Sequence, residues 1–149
     1  KTLAVGETYR SNRSGIMQLR FLLPGIRILA IPMAHYKGPA ACLHLQSVVS
    51  FVDAKSAVVH LPLAPVRLIQ ALEEREVQIL SLPPEDYDSL GCNILCVAPR
   101  KVVMASGNDA TRSMLGDAAI DVTSVDADDL MWVGTGGPTC LTLALERCQ

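Results

Sequence analysis

The sequence predicts an α/β fold in which a strand–strand–helix–strand unit recurs and is arranged radially, as a partial α/β propeller. Three observations carry that expectation. Apolar runs of strand and helix length follow the same order over residues 44–82 and again over 93–125. The spacing holds between matching positions, with Val58 and Val102 44 residues apart and Ile79 and Val122 43 apart. The first two strands of each unit are joined by a three-residue turn, AKS or PRK, which joins antiparallel neighbours only. A unit this small buries its apolar face only against another copy, which favours a radial arrangement. An ordinary doubly wound sheet is the alternative, and the hairpins speak against its all-parallel version.

Each element has its own signal. LAVG (3–6) reads as a strand, and Ser11, Asn12 or Ser14 caps a helix over 14–23 that Pro24 and Gly25 end. RILAIPM (27–33) is a second strand, followed by a loop with His35, Gly38 and Pro39. The first full unit comprises HLQSVVSFVD (44–53), AVVHL (57–61), a helix over 64–76 and VQILSL (77–82), with Pro65 in the helix's first turn. The second comprises NILCVA (93–98), VVMAS (102–106), a helix over 108–116 and AIDVTSV (119–125). VDADDLMW (125–132) reads as a short helix with acidic residues in its first turn, where the helix dipole favours them. A last strand is expected to begin at Cys140. Residues 1–149 then form one propeller-like domain, with partial units at both ends.

Composition bounds the function. Half of the 149 residues are hydrophobic and 19% are charged, which excludes a disordered chain. A net charge of −2 without a basic cluster argues against nucleic acid. The most apolar stretch, FLLPGIRILAIPMA (21–34), is interrupted by Pro24, Gly25 and Arg27, so no membrane span is expected. The first residues, KTLAVGETYR, lack the apolar core of a secretory signal and an initiator Met. Five cysteines (Cys42, Cys92, Cys96, Cys140 and Cys148) are an odd number in a chain that folds without bridges, which favours a reducing, cytoplasmic setting. Cys92 and Cys96 are spaced C-x3-C without paired histidines, a poor match to a zinc site. On a strand, that spacing puts both on one core-facing side.

A few residues have the chemistry for a site. Cys140 follows GTGGPT, a segment whose glycines allow close approach of a ligand to the backbone. Taken alone, it reads as a structural cysteine after a glycine turn or as a nucleophile. His44, in CLHLQS, is a candidate acid and base or a hydrogen-bonded core residue. Arg10 and Asn12 stand in VGETYRSN after the first strand, where an arginine clamps a carboxylate or serves as surface charge. His60 and His35 lack a supporting pattern. Asp53, Asp109, Asp126, Asp128 and Asp129 are the carboxylates available nearby, and spacing selects none of them.

In order, VGETYRSN, CLHLQS, CNILCV and GGPTCLTLALER resemble the C-terminal half of the guanidino-group-modifying enzymes. These include arginine deiminases, amidinotransferases and dimethylarginine dimethylaminohydrolases, and the likeness is closest to the last group. The resemblance covers essentially the whole chain and implies a pseudo-fivefold propeller of ββαβ units. It makes Cys140 the nucleophile, His44 the general acid and base, and Arg10 the holder of the substrate α-carboxylate, with Asn12 in the same motif. Glu7 and Ser11 depart from the family's usual residues. No metal or organic cofactor is implied.

The resemblance also implies that the carboxylates gripping the guanidinium precede the stretch matching VGETYRSN. A small guanidino amino acid is then the expected substrate, hydrolysed to citrulline and an amine. Arginine deiminase or amidinotransferase activity is the nearest alternative, and a non-catalytic binding or assembly relative is another. Self-association or a complementary chain is expected to cover the open ends. An unrelated α/β domain with Cys140 and His44 in its core stays open at this stage.

Overall fold

The structure, a computed structural model, describes residues 1–126, 128–134 and 136–145. Strands and helices alternate through the chain. β1 (Thr2–Glu7), α1 (Arg13–Leu22) and β2 (Arg27–Pro32) come first. β3 (Val49–Phe51), β4 (Ser56–Val59), α2 (Val66–Glu73) and β5 (Gln78–Ser81) follow. β6 (Leu95–Ala98), β7 (Lys101–Ala105), α3 (Asp109–Asp117), β8 (Asp121–Val125) and α4 (Asp128–Gly134) complete the described strands and α-helices. The strands form three separate small sheets, ordered β1-β2, β3-β4-β5 and β6-β7-β8.

The ββαβ order therefore occurs in the second and third sheets. In each, a hairpin pairs antiparallel and the strand after the helix returns parallel to the hairpin's second strand. The first sheet is a parallel pair joined through α1, matching the last three elements of a unit. No closed sheet forms among the described residues. After a polar first residue, the central strands β4 and β7 run apolar, AVV and VVMA, as strands covered on both faces do. All four residues of β4 are buried, while the edge strand β5 is exposed at both ends.

The repeat extends to the helix ends. After α2, the Val77 N–H bonds Leu72 O and the Glu76 N–H bonds Glu73 O. After α3, the Ile120 N–H bonds Leu115 O and the Ala119 N–H bonds Gly116 O. Glu76 and Ala119 both take left-handed φ, 54° and 56°. This is the Schellman cap, with its apolar contact made by Val77 on Leu72 and Ile120 on Leu115. Each pair belongs to a different core cluster, Val77 and Leu72 to one and Ile120 and Leu115 to the other. One cluster lies between the first and second sheets under α2, the other between the second and third. Each unit thus buries its face on the next.

Arg100, at the tip of the β6–β7 hairpin, ties the units together. Its N–H bonds Val52 O, and its guanidinium donates to Asp53 Oδ2 at 3.0 Å. Burial pushes the Asp53 carboxyl up, but the Lys55 N–H, the Arg100 guanidinium and Ser56 outweigh it, leaving it below its ordinary value. A depressed carboxyl stabilises the fold above its unfolded value near pH 4 and loses that contribution as pH falls through the folded value. Denaturant unfolding of Asp53→Asn should therefore show less stability loss between pH 5 and pH 3 than wild type.

Two expected strands are shorter or absent. The run from His44 begins with a 3-10 turn at Leu45–Ser47, and β3 spans only Val49–Phe51. Its start is set by the Ser47 N–H bonding His44 O and the Val48 N–H bonding Leu45 O. Cys140 lies in a turn, its own N–H and that of Leu141 both bonding Gly137 O, and no strand follows it among the described residues. The other elements fall within a few residues of their expected ranges. Asn12 caps α1 through its side chain, accepting the Gly15 N–H.

Candidate active site

Three segments surround the candidate residues, and specific contacts hold them. The first is the end of β1 with the loop carrying Arg10 and Asn12. The second is the His44 turn. The third is the pair formed by Asn93 and the glycine turn of Cys140.

Gly6 joins the first two. A Cβ there would come within 3.3 Å of Leu45 Cβ and of Met33 Cγ. The bare backbone of Gly6 thus lets the His44 turn pack directly on β1. Tyr9 Oη also bonds His35 Nδ1, so the Arg10 loop and the His44 loop are tied at a second point. Arg10, Asn12 and His44 are all exposed.

Ser50, buried in β3 just past the His44 turn, joins the second segment to the third. Its hydroxyl donates to Cys92 O at 2.6 Å and accepts the Ile94 N–H at 3.4 Å. It therefore grips the backbone on both sides of Asn93. The Asn93 Oδ1 accepts the Thr139 N–H at 3.0 Å and the Thr139 hydroxyl at 2.7 Å. Its Nδ2 donates to Cys140 Sγ at 3.4 Å.

The glycines before Cys140 have steric reasons. A Cβ on Gly137 would sit 2.6 Å from Asn93 Cγ, and one on Gly136 would sit 2.8 Å from Cys140 Cβ. Neither position takes a side chain without moving the cysteine or its partner.

A cleft of about 660 Å³ opens beside these segments, lined by Leu45 and Gln46 of the His44 turn and by Thr139, Thr142 and Ala144 after the glycines. The Cys140 sulfur and the His44 ring are not themselves among its lining groups. A smaller pocket of about 170 Å³ lies between Ser47 and Asn93, with Tyr36, Tyr87 and Asp88 on its walls.

The remaining candidates are placed elsewhere. Cys92, in a turn before β6, is buried and Cys96, in β6, is half-buried; both pack on the second core as expected, but they do not share a strand. Burial pushes the Cys92 thiol up to about 12, so it stays protonated at neutral pH. Cys140 is exposed and Cys42 buried, while Cys148 lies outside the described residues. Iodoacetamide at pH 8 should accordingly label Cys140 before Cys42 or Cys92, which peptide mapping by mass spectrometry checks.

His60 is a core residue stacked on Tyr87, with ring centroids 3.8 Å apart, and burial lowers its tendency to protonate. Its Nδ1 has no partner among the described residues. Asp53 is committed to Arg100 and Asp109 pairs with Arg112 at 3.3 Å. Asp126 and Asp129 are exposed, and the Asp128 side chain lies outside the described residues. Asp88, which spacing did not single out, is the carboxylate that shares a pocket with Asn93. Asn93 and Thr139 carry no signal of their own in the sequence, although both stand in the motif stretches CNILCV and GGPTC.

The family model that matches the chain is arginine deiminase, over residues 60–147, more than half of the sequence. The matched stretch includes Asn93 and Cys140, and Arg10, Asn12 and His44 lie before it. No curated protein is similar enough to match. Among solved structures, SxtG, an amidinotransferase from Microseira wollei in the saxitoxin biosynthetic pathway, superposes with a TM-score of 0.82 at 18% identity. That likeness covers 99% of this chain and 45% of SxtG. The N-terminal domain of ArgZ, an arginine dihydrolase from the cyanobacterial ornithine-ammonia cycle, gives 0.77 at 16% identity, covering 97% of this chain and 51% of that one. Dimethylarginine dimethylaminohydrolase from Pseudomonas aeruginosa, complexed with citrulline, gives 0.71 at 20% identity, covering 93% and 49%. The chain thus spans about half the length of each structure, and at these identities the likeness is one of fold.

Proposed function

The chain belongs to the arginine deiminase family, and from that premise we propose that it carries the Cys–His half of a hydrolase acting on the guanidinium of arginine or a methylated arginine. The observation that carries this reading is the placement of Cys140. Among the described cysteines it is the exposed one, held by a glycine turn against a polar side chain rather than packed in a core. The structural neighbours named for amidinotransferase, dihydrolase and dimethylaminohydrolase activities support the same substrate class.

In the proposed reaction, the Cys140 thiolate attacks the guanidinium carbon. The C–N bond to the departing amine breaks as His44 protonates that nitrogen, leaving an S-alkylthiouronium on Cys140. His44 then takes a proton from water, whose oxygen adds to the same carbon. The C–S bond breaks, releasing citrulline and the thiolate. Arg10 holds the substrate carboxylate through paired N–H groups, with Asn12 ordering the loop through its cap on α1. A buried guanidinium requires an anionic partner. Asp88 borders the Asn93 pocket but is exposed and pairs with Lys37 at 3.9 Å, so the gripping carboxylates are assigned to a longer precursor, a complementary chain or a second copy.

Residues 1–149 are proposed to be part of a larger α/β propeller. Leu143 and Leu145 are 83% and 92% exposed and β3 and β6 are edge strands, which supports an interface there. The test is citrulline formation from arginine and from methylated arginines across a range of protein concentrations, with mass spectrometry of the Cys140 peptide for the adduct. Citrulline formation with an adduct on Cys140 is expected. No product and no adduct at any concentration would leave a binding module as the better description.

A further inference from the structure

Resting on the assignment of Cys140 as nucleophile, we propose that Asn93 is its positioning residue, clamping the Cys140 turn and stabilising negative charge on the sulfur. The orientation of the amide follows from its partners. The backbone N–H of Thr139 can only donate, so the atom facing it at 3.0 Å is Oδ1. The same oxygen takes the Thr139 hydroxyl proton at 2.7 Å. The NH2 group is thereby turned toward Cys140 Sγ at 3.4 Å. An NH2 has no lone pair to offer, so the sulfur must accept, and a thiolate accepts better than a thiol.

The rest of the surroundings keep that donor in place. Asn93 is 7% exposed, and its own N–H bonds Leu90 O at 2.8 Å. Ser50 bonds the backbone on both sides of it, and Gly137 leaves the room its side chain fills. The polar contacts of the sulfur among the described residues are Asn93 and the Thr139 hydroxyl, at 3.4 and 3.9 Å, and neither titrates. The Thr139 proton is already given to Oδ1. Asn93 is therefore the group that acts on the sulfur's charge.

The test is the rate of iodoacetamide alkylation of Cys140 at pH 7 and pH 10, read on the tryptic peptide 113–147, which carries no other cysteine. Asn93→Asp keeps the acceptor for Thr139 but has no donor for sulfur. It is expected to alkylate about tenfold more slowly than wild type at pH 7, with the difference closing at pH 10. Asn93→Ala, which removes the donor without adding charge, should move the same way, and Thr139→Val should keep the wild-type ratio within about twofold.

Wild-type rates at pH 7 in Asn93→Asp, or in Asn93→Ala if the former fails to fold by circular dichroism, would overturn the proposal. So would a tenfold fall in Thr139→Val alone. The two readings separate by outcome. The expected alkylation pattern without citrulline formation retains Asn93's effect on the sulfur and removes the guanidino assignment. Citrulline formation with alkylation indifferent to Asn93 does the reverse.

Discussion

If the proposed reaction holds, Cys140→Ala is expected to lower citrulline formation by at least about a thousandfold, because that reaction runs through a covalent intermediate on Cys140. The substitution isolates the chemistry unusually well. Cys140 is exposed, and Asn93 is its main polar partner. Removing the sulfur also removes the acceptor of the buried Asn93 NH2 and should cost about 1 kcal/mol, or about 2–4 °C in melting temperature.

His44→Ala should cost about a hundredfold to ten-thousandfold, as loss of a general acid and base does. It too should fold normally, since His44 is exposed and makes no side-chain cap. The double variant should then fall little below Cys140→Ala alone, because histidine acts only through the bond the cysteine makes. Steady-state kinetics on the three proteins decides this. Turnover unchanged by Cys140→Ala would remove that residue from the mechanism. A double variant that lost the product of the two single effects would mean that His44 acts independently of the thiol.

The parts of this arrangement that were legible in the sequence are those set locally. The 43-residue offset survives because it is built into helix ends, where Leu72 and Leu115, Glu76 and Ala119, and Val77 and Ile120 repeat one capping geometry. The buried central strands announce themselves as unbroken apolar runs at 57–59 and 102–105. What misled was alternation without a partner. LTLAL after Cys140 has the period of a strand, yet a strand exists only where another backbone pairs with it, and none does among the described residues. His44 likewise sits in a strand-like run, and its 3-10 turn packs Leu45 on Gly6, a contact 39 residues distant. Asn93 is one letter inside CNILCV. Its meaning comes from Thr139 and Cys140, 46 and 47 residues further on, and nothing in local periodicity encodes an amide's direction.

The glycine next to that amide gives the second large effect. Gly137→Ala is expected to destabilise the protein by about 2–3 kcal/mol, lowering the melting temperature by roughly 5–10 °C, and to release Cys140 from its turn. A Cβ at Gly137 would meet Asn93 Cγ at 2.6 Å, Oδ1 at 2.8 Å and Cβ at 2.9 Å. A flexible side chain end would swing aside at little cost, but this amide is buried and committed to Thr139 and Cys140. Its backbone is gripped by Ser50. Relief therefore breaks hydrogen bonds worth about 1 kcal/mol each in addition to the overpacking. Gly116→Ala, in α3 with nothing within 4 Å of the added Cβ, is the matched control and should gain about 0.5–1 kcal/mol from helix propensity. Thermal unfolding with citrulline assays on both variants tests the contrast. A Gly137→Ala protein that melts with wild type and turns over normally would mean that the Asn93 amide yields without loss, and the clamp on the cysteine turn would be lost as an explanation for the two glycines.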